Sequence, residues 1–218
     1  MVKHPWNVTI DEACTIQNSL KDRIITYDAF DIIKHVGGAD VAYEVSGNRA
    51  CCVITVFSYP SLEIMSCSCF CGDICFAYIP GLFAFREGPL IEKAFEGLDV
   101  IPDLLLIDGH GLCHPRGIGI ATHMGVFLDV PTIGCAKNHL FGSHREPGSL
   151  RGDRACIYSE RKTIGCVLRT RDNIKPVFIS QGHRVSLKTS VEICLNCSKG
   201  YRIPEPLRMA HILARRII

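Results

Sequence analysis

The apolar and polar positions of the chain divide it into a strand-rich first part and a second part in which helices alternate with strands. The first ~30 residues are predicted to form an amphipathic helix, because apolar residues recur near helical spacing at Ala13, Ile16, Leu20, Ile24 and Ile25. Three apolar segments follow, separated by turn-forming residues at Gly47-Asn48 and Tyr59-Pro60-Ser61. Because these connections are short, the segments are expected to form an antiparallel meander. The predicted strands span residues 36–44, 50–57 and 63–71.

In the rest of the chain, helices and strands alternate. Pro89 is expected to open a helix, and continuous apolar runs indicate buried strands at 104–108 and 132–136. A polar stretch at 138–154 is predicted to be a long loop. A meander followed by this alternation predicts an α/β fold, with one mixed sheet flanked by helices in a single domain covering residues 1–218. The remaining predictions are helices at 116–129, 186–198 and 206–218 and strands at 163–169 and 176–180.

The composition is that of a globular protein, with 47% hydrophobic and 21% charged residues. No apolar run approaches the ~20 residues needed to cross a bilayer, and the N-terminus lacks the regions of a signal peptide. A cytoplasmic protein without a membrane segment is therefore expected. Nothing in the sequence indicates an obligate protein partner, and a monomer is expected.

Thirteen cysteines are present, an odd number that cannot all pair within the chain. Cys67, Cys69 and Cys71 alternate as residues on one face of a strand do. Cys194 and Cys197 form a C-x-x-C that could belong to a zinc site, but a structural zinc normally needs four ligands and no second pair follows. We expect the cysteines to be reduced, buried, small apolar residues.

Charge is unevenly distributed along the chain. Residues 1–110 carry 7 Lys/Arg and 15 Asp/Glu, whereas residues 111–218 carry 17 Lys/Arg and 7 Asp/Glu. This asymmetry suits an acidic centre beside a basic surface, as in a metal-using enzyme with a polyanionic substrate. An ordinary solvated surface, on which the charges mix after folding, would give the same counts.

Two carboxylates occupy unusual places in the predicted strands. Asp40 lies in the middle of the first strand, where an uncompensated buried charge is costly, and Asp108 ends the run LLLID directly before Gly109. Ligands gather at the carboxyl ends of strands in open α/β sheets, so these acids could converge on one Mg²⁺, which prefers oxygen ligands. Alternatively, each acid caps a turn or pairs with an arginine.

Four further polar residues could act beside these acids. Glu87, just before the helix that Pro89 is expected to open, could bind metal, orient water or only favour the helix dipole. Lys137 ends an apolar run, where its ammonium could neutralise charge on a phosphate. His114 could move a proton or hold a water, although single histidines such as His114 and His211 are more often surface or satisfied core residues.

The segment Tyr78-Ile79-Pro80-Gly81 predicts a rigid, partly apolar loop tip. Such a tip could wedge between stacked bases and open a duplex. Pro-Gly also marks ordinary turns, so the segment alone does not decide between a wedge and a turn.

Taken in order, these segments resemble the endonuclease V family of deoxyinosine-directed repair nucleases. The resemblance runs from about residue 10 to the C-terminus, and its most specific stretches are DGHG followed by HPR, and YRIPEP. The matching segments are GADVAYE (38–44), YIPGLFAFRE (78–87), DLLLIDGHGLCHPRGIGIATHMGV (103–126), DVPTIGCAK (129–137), GHRVSL (182–187) and GYRIPEPLRMAH (200–211).

The resemblance implies a ribonuclease H-like fold, which agrees with the mixed sheet predicted from periodicity. It implies that Asp40, Glu87 and Asp108 bind the catalytic metal, and that a histidine or aspartate close to the metal falls on His211. It also places Lys137 near the scissile phosphate. His114 matches a histidine of the same site.

The same resemblance implies how a lesion would be bound. A strand-separating wedge falls on Tyr78-Ile79-Pro80, and its usual leading proline is replaced by Ala77. The flipped hypoxanthine is expected near Gly81 and Gly111, where absent side chains let a base approach backbone amides.

By resemblance, the substrate is DNA containing deoxyinosine, hydrolysed at the second phosphodiester bond 3′ to the lesion to leave 3′-hydroxyl and 5′-phosphate ends. Mg²⁺ is the implied cofactor, and Mn²⁺ is expected to substitute for it. Some family members act mainly on inosine in RNA, and that choice depends on the 2′-hydroxyl, so inosine-containing RNA stays an alternative substrate. Two further hypotheses are a nuclease of the same fold that acts on a different substrate, and a non-catalytic nucleic-acid-binding protein.

Overall fold

A nine-stranded mixed sheet forms the centre of the structure, a computed structural model that describes residues 2–45 and 47–218. The strands in chain order are β1 (His35–Tyr43), β2 (Arg49–Ser58), β3 (Ile64–Asp73), β4 (Leu104–Ile107), β5 (Thr132–Ala136), β6 (Ser143–His144), β7 (Arg154–Ser159), β8 (Lys162–Leu168) and β9 (Val177–His183). The helices are α1 (Ile10–Leu20), α2 (Phe83–Glu96), α3 (Ile120–Leu128), α4 (Leu187–Asn196) and α5 (Glu205–Ile217).

The order of strands across the sheet is β3-β2-β1-β4-β5-β9-β8-β7-β6. β1, β2 and β3 form the predicted antiparallel meander, and β4 and β5 run parallel to β1. From β9 onwards the neighbouring strands are again antiparallel. The predicted mixed sheet is confirmed. No helix described in residues 2–45 and 47–218 combines the length and apolar character needed to cross a membrane.

The two faces of the sheet are covered by different helices. In β4, Leu105 and Ile107 belong to a core that includes residues of α2 and α3. Leu104 and Leu106 point to the opposite face, into a core that includes residues of α4 and α5. Because successive side chains of a strand point to opposite faces, a continuous apolar run is required wherever both faces are covered.

The first helix is shorter than predicted. α1 begins after Thr9, whose side chain and that of Glu12 form a capping box, and a short 3-10 turn ends at Arg23. From there the backbone pairs with the chain that follows β9, since the N–H of Arg184 donates to the carbonyl of Ile25 at 2.7 Å. The prediction of a helix through the first ~30 residues was therefore wrong beyond residue 23, because the backbone of Ile24 is extended and that of Ile25 pairs with Arg184.

The prediction that Pro89 opens a helix was also wrong. α2 begins at Phe83, and Pro89 lies inside it. Proline cannot donate to the carbonyl one turn earlier, here that of Phe85, and this costs stability. Burial of the first turn offsets the loss, because Ala84 and Phe85 are almost fully inaccessible. Glu87 is consequently a residue of the helix interior rather than an acid in front of it.

The sequence analysis did not predict β6 or β7, and it placed the start of α3 too early. The loop predicted at 138–154 contains β6, and β7 follows directly. In β7 only Ile157 is fully buried, so the strand lacks the apolar alternation that reveals one. The helix predicted at 116–129 is limited to α3, because Gly117 has a positive φ of 67° and Gly119 caps the helix.

The prediction of reduced, buried cysteines was wrong for several of them, including the exposed Cys75 and Cys156, but Cys52 of the meander is free and buried as predicted. β3 is an edge strand, and Cys67 and Cys69 are exposed there. Cys71 pairs with Cys51 of β2 in the sheet register, with 4.0 Å between their Cα atoms, and the two form a disulfide. The strand indicated by the cysteine alternation is confirmed.

Candidate active site

Asp40 and Asp108 lie side by side at the centre of the sheet. Parallel pairing of β1 with β4 places Ala39 opposite Ile107, so the next residue on each strand is an aspartate. The N–H of Asp108 donates to the carbonyl of Ala39 at 3.1 Å, which continues the ladder to this point. Asp40 is only 5% exposed, and Asp108 is half-buried. The sheet therefore brings two of the predicted acids into one site.

The acidity of Asp40 is strongly perturbed. Burial, followed by hydrogen bonding and charge repulsion from Asp108, raises the pKa of Asp40 to about 8. The ammonium of Lys137 opposes this rise. Crowded carboxylates that the protein compensates only in part favour a bound cation.

Lys137 and His211 both contact these aspartates. Lys137 follows β5, the parallel neighbour of β4, and its Nζ lies 2.5 Å from Asp108 Oδ2 and 3.9 Å from Asp40 Oδ1. His211 projects from α5, and its Nδ1 lies 3.0 Å from Asp40 Oδ2. Burial lowers the pKa of His211, as do the charges of Lys137 and Arg215. The structure thus assembles four of the predicted site residues.

Glu87 approaches the same cleft from α2. Its Oε1 accepts a 2.7 Å hydrogen bond from the hydroxyl of Tyr43, and the guanidinium of Arg86 lies 5.0 Å from the Tyr43 ring. Burial, with a contribution from Asp108, raises the pKa of Glu87 to about 8. Glu87, Asp40 and Asp108 all line a cleft of about 490 Å³, which we name the acid cleft.

The donor set suits a hard divalent cation. Three carboxylates face one ammonium, and Mg²⁺ and Mn²⁺ prefer such oxygen ligands. As the side chains stand in the described ranges, no three His, Cys, Asp or Glu groups are arranged to hold a metal ion. Binding of a cation would therefore require these side chains to move, and the Lys137 ammonium to leave Asp108. The chemistry and charge of these residues fit a hard divalent cation such as Mg²⁺.

A smaller cavity of about 220 Å³, which we name the Tyr78 cavity, adjoins the acid cleft. The two share Tyr78, Phe83 and His110 in their walls. Tyr78 is 66% exposed, and its ring meets that of Phe83 edge-on with 6.1 Å between centroids. Ile79 is partly buried, and Pro80 is exposed beside Tyr78. Of the predicted wedge segment, Tyr78 therefore lines the cavity with an exposed ring, whereas Ile79 packs against a core cluster.

Gly81 and Gly111 occupy different positions relative to this cavity. Gly81 lines it with a φ of 83°, and a Cβ there would lie 2.6 Å from Nη2 of Arg116. Gly111 is packed behind the wall instead. Its N–H donates to Ser180 Oγ at 2.8 Å, and a Cβ would lie 1.9 Å from the carbonyl oxygen of Gln181. The structure thus places Gly81 but not Gly111 on the cavity surface.

His114 lies in the Tyr78 cavity, outside the acid cleft. Its Nδ1 accepts a hydrogen bond from the N–H of Arg116 at 3.1 Å. Burial, with the charge of Arg116, lowers the pKa of His114 to about 4. The ring is therefore neutral near pH 7, a state suited to contact with a neutral ligand.

Comparison with known proteins identifies the family. The model of the endonuclease V family matches residues 18–212 of the chain. The chain is 45% identical to endonuclease V of Dictyoglomus thermophilum over 211 residues, which covers 95% of this chain and 90% of that protein. The chain belongs to the endonuclease V family. It is accordingly an endonuclease, as the sequence resemblance predicted.

Solved endonuclease V structures share its fold. The crystal structure from Streptomyces avermitilis superposes with a TM-score of 0.92 at 37% identity, covering 99% of this chain and 96% of that one. A variant from Ciona intestinalis, in complex with a 23mer DNA containing an inosine followed by a ribo-adenosine, gives a TM-score of 0.84 at 29% identity, covering 96% and 98%. These matches confirm the predicted ribonuclease H-like fold.

Two residues of the candidate site were missed by the sequence analysis. Gln17 is buried in the cavity wall, where its Nε2 donates to the carbonyls of Gly81 and Ile118 at 2.9 and 3.0 Å. A glutamine on the apolar face of α1 was the available signal. His110 lines both the cavity and the acid cleft, and its Nε2 lies 3.1 Å from the carbonyl of Asn138. It stands in the recognised stretch DGHG.

Proposed function

We propose that this endonuclease V binds DNA containing deoxyinosine and hydrolyses the second phosphodiester bond on the 3′ side of the lesion, in a reaction that depends on a divalent cation. The observation that carries the proposal is the adjacency of the Tyr78 cavity and the acid cleft, which share Tyr78, Phe83 and His110. A base turned out into the cavity would leave its 3′ phosphates beside the acids. The inosine-containing DNA bound by the Ciona relative supports this substrate class.

Asp40, Asp108 and Glu87 are proposed to hold the cation, with Mg²⁺ preferred and Mn²⁺ as a substitute. Bound there, the cation supplies a Lewis acid for the phosphate oxygens. Glu87 is proposed to position the attacking water, since its carboxylate is fixed by Tyr43. Lys137, whose side chain is one-third exposed, lies where its ammonium can stabilise charge that develops on the phosphate.

The Tyr78 cavity is proposed to hold the flipped hypoxanthine. Its volume of about 220 Å³ suits one base, and its walls offer the backbone of Gly81 and the neutral ring of His114. Tyr78 is proposed to occupy the gap left in the stack, because an exposed aromatic side chain can replace base stacking.

The decisive experiment is cleavage of matched DNA and RNA oligonucleotides, each with and without one inosine, in Mg²⁺, in Mn²⁺ and with a chelator. We expect cutting only of inosine-containing DNA with metal present. Labels at either end should map the break to the second bond, with a 3′-hydroxyl and a 5′-phosphate. Preferential cutting of inosine-containing RNA would replace DNA with RNA as the substrate, and cutting with the chelator present would contradict metal dependence.

Variants of the acids test the site itself. Asp40→Ala or Asp108→Ala should abolish cleavage and leave binding to inosine-containing DNA measurable. Asp99→Ala, which removes an exposed acid outside the clefts, is the control and should cut normally. Substantial cutting by either site variant would contradict the proposed roles of the two aspartates.

A further inference from the structure

A second cleft adjoins the acids on the side of α5, and the proposed function leaves it unused. Its volume is about 490 Å³, and we name it the Arg215 cleft. It shares Asp40, Asp108 and Lys137 with the acid cleft, and His211 and Arg215 of α5 form one wall. The cleft is therefore continuous with the proposed catalytic centre.

Arg215 is available to a ligand in this cleft. It lies one helical turn after His211, on the same face of α5, and its side chain is exposed. Among the described residues, no side-chain hydrogen bond or ion pair engages its guanidinium. Arg208, by contrast, is held by Glu205 in two hydrogen bonds. Lys137 is also engaged, at 2.5 Å from Asp108. Arg215 thus offers a guanidinium whose donors are unused.

The three pockets follow one another in a fixed order. The Tyr78 cavity shares Tyr78 and His110 with the acid cleft, and the acid cleft shares Asp40 and Asp108 with the Arg215 cleft. A strand whose base enters the cavity and whose scissile phosphate lies at the acids would continue into the Arg215 cleft. Each nucleotide of that strand carries one phosphate.

We propose that the Arg215 cleft is a phosphate subsite, in which the guanidinium of Arg215 binds the backbone phosphate that follows the scissile phosphate on the 3′ side. A guanidinium binds phosphate oxygens through paired N–H donors, which fixes direction as well as charge. Glu44 lines the same cleft and repels a phosphate, so the phosphate is placed against α5. The placement on the 3′ side rests on the proposed function, whereas the phosphate contact itself does not.

The salt dependence of binding tests the contact. Dissociation constants are measured with a chelator present, at several salt concentrations, for one duplex with inosine and for the same duplex with adenine. A lost phosphate contact reduces the slope of log K against log salt by about 0.9. We expect that reduction in Arg215→Ala on both duplexes. Arg216→Ala, at the next exposed arginine of α5 and outside the cleft, should keep the wild-type slope, and Arg215→Lys should keep most of it.

A neutral methylphosphonate at the phosphate that follows the cleavage position tests the placement. It should weaken binding of the wild type and have little further effect on Arg215→Ala. Equal slopes for Arg215→Ala and the wild type, or equal losses in the Arg215 and Arg216 variants, would overturn the subsite. If Arg215→Ala instead removed the effect of a methylphosphonate placed 5′ of the cut, the placement of the subsite on the 3′ side would be overturned. Absence of inosine-selective cleavage would instead contradict the proposed function, because the slopes are measured without cleavage and on both duplexes.

Discussion

His211 Nδ1 lies 3.0 Å from Asp40 Oδ2, so the last helix directly contacts the buried acid of the first strand. A histidine bonded to a metal-binding carboxylate orients it, and loss of such a partner typically lowers metal affinity by about 10–100-fold. In the site proposed here, His211 would then act through Asp40.

His211→Ala should raise the Mg²⁺ concentration needed for half-maximal cleavage by about 10–100-fold, with a smaller effect on the rate at saturating Mg²⁺. His211→Asn keeps a side-chain N–H donor and should recover part of the loss. The measurement is the cleavage rate as a function of Mg²⁺ concentration. A rate loss that excess Mg²⁺ does not relieve would show a role other than positioning Asp40.

Tyr78→Ala should weaken binding to inosine-containing duplex more than to the same single strand. In the duplex the ring is proposed to fill the gap in the stack, and stacking on an aromatic residue contributes about 1–3 kcal/mol per base. Tyr78→Phe should retain most of the binding, because stacking needs the ring rather than the hydroxyl.

Tyr27→Ala is a matched control for this experiment, because Tyr27 is 65% exposed and Tyr78 is 66% exposed. Tyr27 lines neither the cavity nor the clefts. Its removal should leave both affinities unchanged. Equal losses on duplex and single strand in Tyr78→Ala would argue against a wedge.

The meander and the two central aspartates could be predicted because they depend on local signals. Continuous apolar runs such as 104–107 indicate strands that are buried on both faces, and an acid inside or directly after such a run is conspicuous. Adjacency of Asp40 and Asp108 then follows once β1 and β4 are paired in parallel.

Other features depend on tertiary contacts that no local sequence pattern indicates. Pro89 suggested a helix start, but burial of Phe85 extends α2 back past Glu87. Gln17 ties two loops together across the chain, and nothing local to α1 specifies those partners. His110 reaches both pockets only because the chain after β4 folds toward Asn138.

Gly38→Ala should destabilise the protein by about 1–3 kcal/mol, the usual cost of overpacking. A Cβ there would lie 2.3 Å from the carbonyl carbon of Pro206, so the start of α5 would have to move as backbone. Because α5 carries His211, cleavage at limiting Mg²⁺ should fall as well. Urea unfolding measures the first effect and the Mg²⁺ titration the second.

Gly72→Ala, at a glycine of β3, is the control for Gly38→Ala. The atoms nearest to a Cβ at Gly72 belong to side chains, Phe70 at 3.1 Å and Leu90 at 3.3 Å, and these can shift. The unfolding free energy of Gly72→Ala should stay close to that of the wild type. Equal destabilisation of both variants would show that the contact with Pro206 has no special cost.

His123→Phe should make the protein less sensitive to acid. His123 is buried, its Nε2 lies 2.7 Å from Nε2 of His4, and its Nδ1 has no partner in the described structure. Burial, with a contribution from His4, lowers the pKa of His123 to about 3 from its ordinary 6.5. Below pH 6.5 the unfolded chain binds a proton at this residue that the folded chain does not. Stability is therefore lost as the pH falls from 6.5 towards 3.

The loss from one such group amounts to about 1.4 kcal/mol per pH unit, or about 2 kcal/mol between pH 6.5 and 5. Phenylalanine cannot bind the proton and suits a site where the rings of Trp6 and Phe85 contact that of His123, so the variant should keep about that much more stability over this range. Urea unfolding at pH 7, 6 and 5 gives the comparison. Parallel profiles for His123→Phe and the wild type would mean that His123 is protonated in the folded protein, with His4 and the surrounding rings accommodating the charge.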